Sequence, residues 1–95
     1  MAIFLTDEDK SKYTQSLTDN LSVLRAKLGT TQEELAKIIG VSRNTIACIE
    51  SKKKEMSWVT FVALSMFFLQ NEETAQVFKA LNVYDEKLNQ FFMLK

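Results

Sequence analysis

The chain contains no proline, no histidine, two glycines and one cysteine. Without proline, and with only Gly29 and Gly40 as breakers, long helices joined by short turns are expected. A lone Cys48 excludes an intrachain disulfide. The absence of histidine, of a metal-ligand cluster and of a glycine-rich phosphate loop argues against an enzyme and against a bound metal or cofactor. Long apolar runs are missing too. Residues 59–69 are interrupted by Thr60 and Ser65 and fall short of the roughly 20 residues that span a bilayer. Residues 1–5 are too short, and lack the basic flank, for a signal peptide. A cytoplasmic protein with no membrane segment is expected.

What is present is an ordinary globular composition, 46% hydrophobic and 25% charged over 95 residues. That supports one modest core, so residues 1–95 are expected to form a single domain, without a separate catalytic or ligand-binding one. Control by a protein partner, abundance or proteolysis is therefore expected before control by a small molecule. The net charge is zero, which on its own argues against a nucleic-acid partner. Its distribution does not. Residues 1–24 carry two lysines against four acids and residues 55–95 three lysines against five, so each flank is −2. Between them, Arg25, Lys27, Lys37, Arg43, Lys52, Lys53 and Lys54 face only Glu33, Glu34 and Glu50, leaving an island of +4.

Thr6 followed by Asp7, Glu8 and Asp9 predicts a helix start with acids at the favoured end of the dipole. Tyr13, Leu17, Leu21, Leu24 and Leu28 recur every three or four positions, predicting a helix closed by Gly29. Thr31 and Glu34 form a capping box that opens a second helix through Leu35, Ala36, Ile38 and Ile39, ended by Gly40. Ser42 caps a short third helix whose inward face is Ile46 and Ile49. Ser57 caps a fourth, residues 58–70, apolar nearly all round and so in need of cover on several sides. Weaker patterns over residues 72–81 and 84–94, separated at Asn82, use Val77, Phe78, Leu81, Leu88, Phe91 and Phe92 as their apolar face.

Two short helices joined through a glycine turn, the second with a polar outer face, form a helix-turn-helix over residues 31–51. Ala36 allows close approach, and Val41, Ile46 and Ile49 fill the wedge. Residues 24–54, LRAKLGTTQEELAKIIGVSRNTIACIESKKK, resemble the Cro/C1-type (XRE) helix-turn-helix family of bacterial and phage transcriptional regulators. The resemblance implies an all-α, lambda-repressor-like five-helix DNA-binding domain to about residue 81, with residues 82–95 as an extra C-terminal helix. It implies that the third helix enters the major groove of double-stranded DNA and that Arg43, Asn44, Ala47 and Cys48 read bases. Projection at 100° per residue agrees, placing Asn44, Ala47, Cys48 and Ser51 opposite Ile46 and Ile49. Thr31, Gln32, Ser42 and Thr45 match phosphate-binding positions, and Arg25 and Glu50 match a structural ion pair. Lys52, Lys53 and Lys54 read equally as phosphate contacts or as a solvated loop. Gln32 also admits a helix-start reading, which for Glu34 is the preferred one, and Cys48 reads as a small spacer with no second cysteine to resolve a redox switch. The family usually has a glycine after the third helix and often a proline before the fourth; Lys52 and Met56 stand here instead.

The fourth helix and the C-terminal phenylalanines offer more apolar surface than five helices easily cover. A symmetric homodimer through Phe67, Phe68, Leu88, Phe91 and Phe92 is expected, binding a palindromic operator through two modest contacts. In the competing arrangement the C-terminal helix folds back over the fourth helix of a monomer. The rival to DNA binding is a scaffold that binds a protein instead, or an antitoxin that does both.

Overall fold

The computed structural model describes residues 5–81 and 85–93. Local capping sets where each helix begins. In α1 (Asp7–Leu28) the Thr6 hydroxyl accepts from the Asp9 amide and the Asp9 carboxylate accepts from the Thr6 amide, each at 3.0 Å. The Thr6 start and the heptad-like run from Tyr13 are thus one helix, about 33 Å long. Thr31 and Glu34 repeat the reciprocal box at α2 (Gln32–Ile39), and Ser42 caps α3 (Arg43–Glu50). Ser57 caps α4 (Trp58–Gln70). Gly40 ends α2 at φ +84°, a left-handed conformation in which its amide and that of Val41 both bond the Ala36 carbonyl.

α5 (Glu72–Ala80) begins without a side-chain cap. Asn71 instead turns back, donating to the Phe67 carbonyl at 2.7 Å, while the buried Thr74 hydroxyl donates to the Phe68 carbonyl at 2.8 Å. Both serve carbonyls at the open end of α4, which have no partner within their own helix. The last described helix is α6 (Glu86–Phe92), capped by Asp85. The expected segment of residues 84–94 is seen over that range; Asn82, Tyr84 and Leu94 lie outside the described residues. All described regular structure is helical.

The core joins Tyr13, Leu17, Leu21 and Leu24 of α1 to Leu35, Ala36, Ile46 and Ile49, and then to Phe61, Leu64, Phe68, Phe78 and Leu88. That arrangement corrects part of the expected dimer interface. Phe68 and Leu88 are fully buried inside one protomer, beyond reach of a second copy. α6 folds back. Leu88 enters the core, Phe91 packs edge-on to Trp58 at 5.7 Å, and the Tyr13 hydroxyl donates to Asp85 at 2.8 Å. Lys87 adds a 2.6 Å ion pair to Asp9. Phe67, Phe91 and Phe92 are half-buried against the core edge. Val59 and Met66 keep the outer side of α4 exposed, at 78% and 49%.

Candidate nucleic-acid interface

The positions expected to read bases sit on a helix that is gripped from behind. Glu50, on the last turn of α3, accepts from Arg25 Nε at 2.9 Å and Arg25 Nη2 at 3.1 Å. Arg25 Nη1 donates onward to the Thr30 carbonyl at 3.0 Å. A third N–H reaches the same carboxylate: Gln32 Nε2 donates to Glu50 Oε1 at 2.9 Å. One carboxylate therefore ties α1, the α1–α2 turn and the start of α2 to α3. Burial pushes the Glu50 carboxyl up, but the bonds from Arg25 and Gln32 outweigh it and hold it below its ordinary value. Arg25 is raised by Glu50 in turn. With side chains only 22% and 10% exposed, this pair is better shielded than the four other ion pairs found among the described residues.

Gln32 thus has a role that sequence position did not indicate. Its amide nitrogen carries two hydrogens, one of them committed to Glu50, so it positions α3 and has a single N–H left for a phosphate. No spacing rule could reveal this, because residues 32 and 50 meet only once α2 and α3 have packed.

In front of the clamp the polar groups are open to solvent. Arg43 and Asn44 are exposed on the first turn of α3, and Ala47 and Cys48 are half-exposed one turn on. Asn44 is almost unencumbered, its one side-chain hydrogen bond among the described residues being a weak one from the Cys48 thiol at 3.9 Å. Its amide keeps a donor and an acceptor for an adenine edge, and Arg43 keeps its donor fork for guanine. Ser42 and Thr45 share one hydroxyl–hydroxyl bond of 2.9 Å, leaving one O–H of the pair free. The Thr31 oxygen accepts from the Glu34 amide, which leaves its proton available. Glu34 spends its carboxylate on the Thr31 amide, and these bonds lower its pKa. Arg25, Thr31, Gln32, Glu33 and Arg43 line an open recess at the start of α2, where the helix dipole and Arg43 favour an anion while Glu33 opposes one and Arg25 is already paired with Glu50.

Behind α3, Lys52 takes a left-handed conformation at φ +64°. It stands where the resemblance led one to expect glycine. The amides of Lys53 and Lys54 both return to the Cys48 carbonyl, at 2.9 and 3.2 Å, and Lys52 Nζ pairs with Asp19 at 3.1 Å. The loop is held against α1 as well as α3. Among the described residues no group of histidine, cysteine, aspartate or glutamate could hold a metal ion, and no helix is long and apolar enough to cross a membrane.

Residues 21–67 match the model of the helix-turn-helix family. No curated protein and no solved structure matches the chain. The matched segment contains the last third of α1, both helices of the motif and most of α4, which is the whole of the clamp and of the surface it supports. Residues 21–67 are thus a Cro/C1-type helix-turn-helix segment, similar to that family of DNA-binding regulators.

Proposed function

We propose that the chain, acting as one domain, is a sequence-specific repressor that reads a palindromic operator through the major groove as a homodimer. Arg43, Asn44, Ala47 and Cys48 are the base-reading set. Thr31, Gln32, Ser42, Thr45, Lys52, Lys53 and Lys54 hold the flanking phosphates. The observation that carries the reading is the contrast between the two sides of α3. Its back is locked by three N–H bonds onto Glu50, while Arg43 and Asn44 stand exposed with nearly all their donors and acceptors unspent.

The outer side of α4 supplies a dimer surface in place of the buried Phe68 and Leu88. Residues 58–70 contain no charged side chain, and Val59, Ala63 and Met66 fall on one stripe, with Phe67, Phe91 and Phe92 as half-buried apolar neighbours of the core. A regulator of this kind works beside its DNA, in the cytoplasm of a bacterial or phage-infected cell.

Selection from a random duplex pool tests the reading, comparing wild type with the Arg43→Ala, Asn44→Ala double variant at one salt concentration. Enrichment of a two-fold-related motif by wild type alone is the expected result. A folded wild type that enriches nothing would replace this reading with that of a protein-binding scaffold or antitoxin.

A further inference from the structure

We propose that a groove between the N-terminal half of α1 and the α3–α4 loop binds a small phosphate monoester. The groove encloses about 440 Å³, within the range of small-ligand sites. One wall is α1, through Lys10, Ser11, Thr14 and Thr18; the other is Lys52, Lys53 and Lys54. With Lys52 paired to Asp19, Lys10, Lys53 and Lys54 against Asp7 and Glu55 leave the lining net positive, at +1. A phosphate monoester, at about −1.5 to −2 near neutral pH, has the opposite sign and offers three acceptor oxygens.

The positive charge is placed before any ligand arrives. Lys52 is neutralised by Asp19 and, with its amide bonded to the Ile49 carbonyl, pins the loop. Lys53 and Lys54 have no ion-pair partner among the described residues and are carried on backbone already bonded to Cys48. On the facing wall the Thr14 and Thr18 hydroxyls donate to the Ser11 and Thr14 carbonyls, at 3.2 and 2.7 Å. Their oxygen lone pairs are left to accept from hydroxyls of the ligand, which favours a phosphorylated polyol. At the end of the groove Trp58 stacks on Phe61 at 4.8 Å beneath Lys10, whose ammonium lies 5.5 Å from the ring centre. The α1 wall precedes residue 21, so this groove lies partly outside the segment matched to the family and does not depend on α3 reading bases. It needs no separate ligand-binding domain, because it is made where α1 extends past the motif.

Trp58 is the only tryptophan in the chain and lines the groove, so its emission reports occupancy without DNA present. Glucose 6-phosphate, glycerol 3-phosphate, inorganic phosphate and glucose are titrated separately at constant ionic strength. The subjects are wild type, the Lys53→Ala, Lys54→Ala double variant, and Lys37→Ala as a surface-charge control. The expected result is a saturable change with at least one phosphate monoester and none with glucose. Its Kd should rise at least tenfold in the double variant and stay unchanged in the control. No saturable response to either monoester, or an equal response in the double variant, overturns the proposal. A Trp58 response to non-specific duplex DNA but to neither monoester likewise overturns it, leaving the groove a seat for the DNA backbone alone.

Discussion

Lys52 and Ser65 each break a local rule. At φ +64° the Lys52 side chain costs about 1–2 kcal/mol that glycine would not. Its ion pair with Asp19 joins side chains 64% and 46% exposed, which typically returns less than about 1 kcal/mol. Lys52→Gly is therefore expected to raise stability by up to about 1 kcal/mol, read as a higher denaturant midpoint with an unchanged slope. Ser65 is fully buried in α4, and its hydroxyl has no hydrogen-bond partner among the described residues. An orphaned buried hydroxyl costs about 1–3 kcal/mol. Ser65→Ala should raise the melting temperature by several degrees, given about 4–8 °C per kcal/mol in a domain of this size. A lower melting temperature would mean that the hydroxyl is serving a group on a neighbouring helix.

At the scale of elements, α6 is held by contacts that titrate. The Tyr13 phenol is pushed well above its ordinary 10 by burial and then by its bond to Asp85. The folded state therefore keeps a proton that the unfolded chain loses, and stability falls as pH rises past about 10. Tyr13→Phe should abolish that alkaline loss while costing about 1 kcal/mol at pH 7 for the missing hydrogen bond. Denaturation curves at pH 7 and 11 would reveal both effects, and an equal alkaline loss in the variant would rule out Tyr13 as its source. The acid side runs in the opposite sense. Burial raises Asp85, but the Leu88 amide, Tyr13 and Lys12 prevail and lower it. Glu50 is lowered likewise, and Lys87 above all brings Asp9 to about 2. Their contributions are complete above the ordinary values of 3.8 and 4.5, and are lost as pH falls toward 2. Stability should thus fall away on both sides of a broad neutral plateau.

For the whole molecule, the charge island and the neutral α4 stripe make separable predictions. Val59→Lys with Met66→Lys places charge on two exposed positions, so the protomer should keep its fold while the proposed dimer dissociates. Sedimentation would show a monomer with an unaltered helical spectrum, and operator affinity should drop at least tenfold as linkage of the half-sites is lost. A persistent dimer would move the interface elsewhere. Affinity for the proposed operator should also fall steeply with salt, and replacing one of the lysines proposed to hold phosphates should reduce the slope of log K against log salt by about 1.

Helix starts at Thr6, Thr31, Ser42 and Ser57 were legible in the sequence because a cap is a bond across three residues. The same holds for Gly29 and Gly40, and for the inward Ile46 and Ile49, since helical period and chain order suffice to place them. The motif and the outward residues of α3 could be read for that reason, whereas the Arg25–Glu50 pair, 25 residues apart, was implied only by the family resemblance. Other contacts across long separations could not be read. The bond from Gln32 to Glu50 spans 18 residues, Tyr13 to Asp85 spans 72 and Asp9 to Lys87 spans 78. Apolar content alone did not say whether α6 would cover its own protomer or a second one, because hydrophobic burial is non-directional and either arrangement removes the same kind of surface from water. Tertiary packing decided that choice, with Leu88 going into the core and Asp85 and Lys87 finding partners on α1.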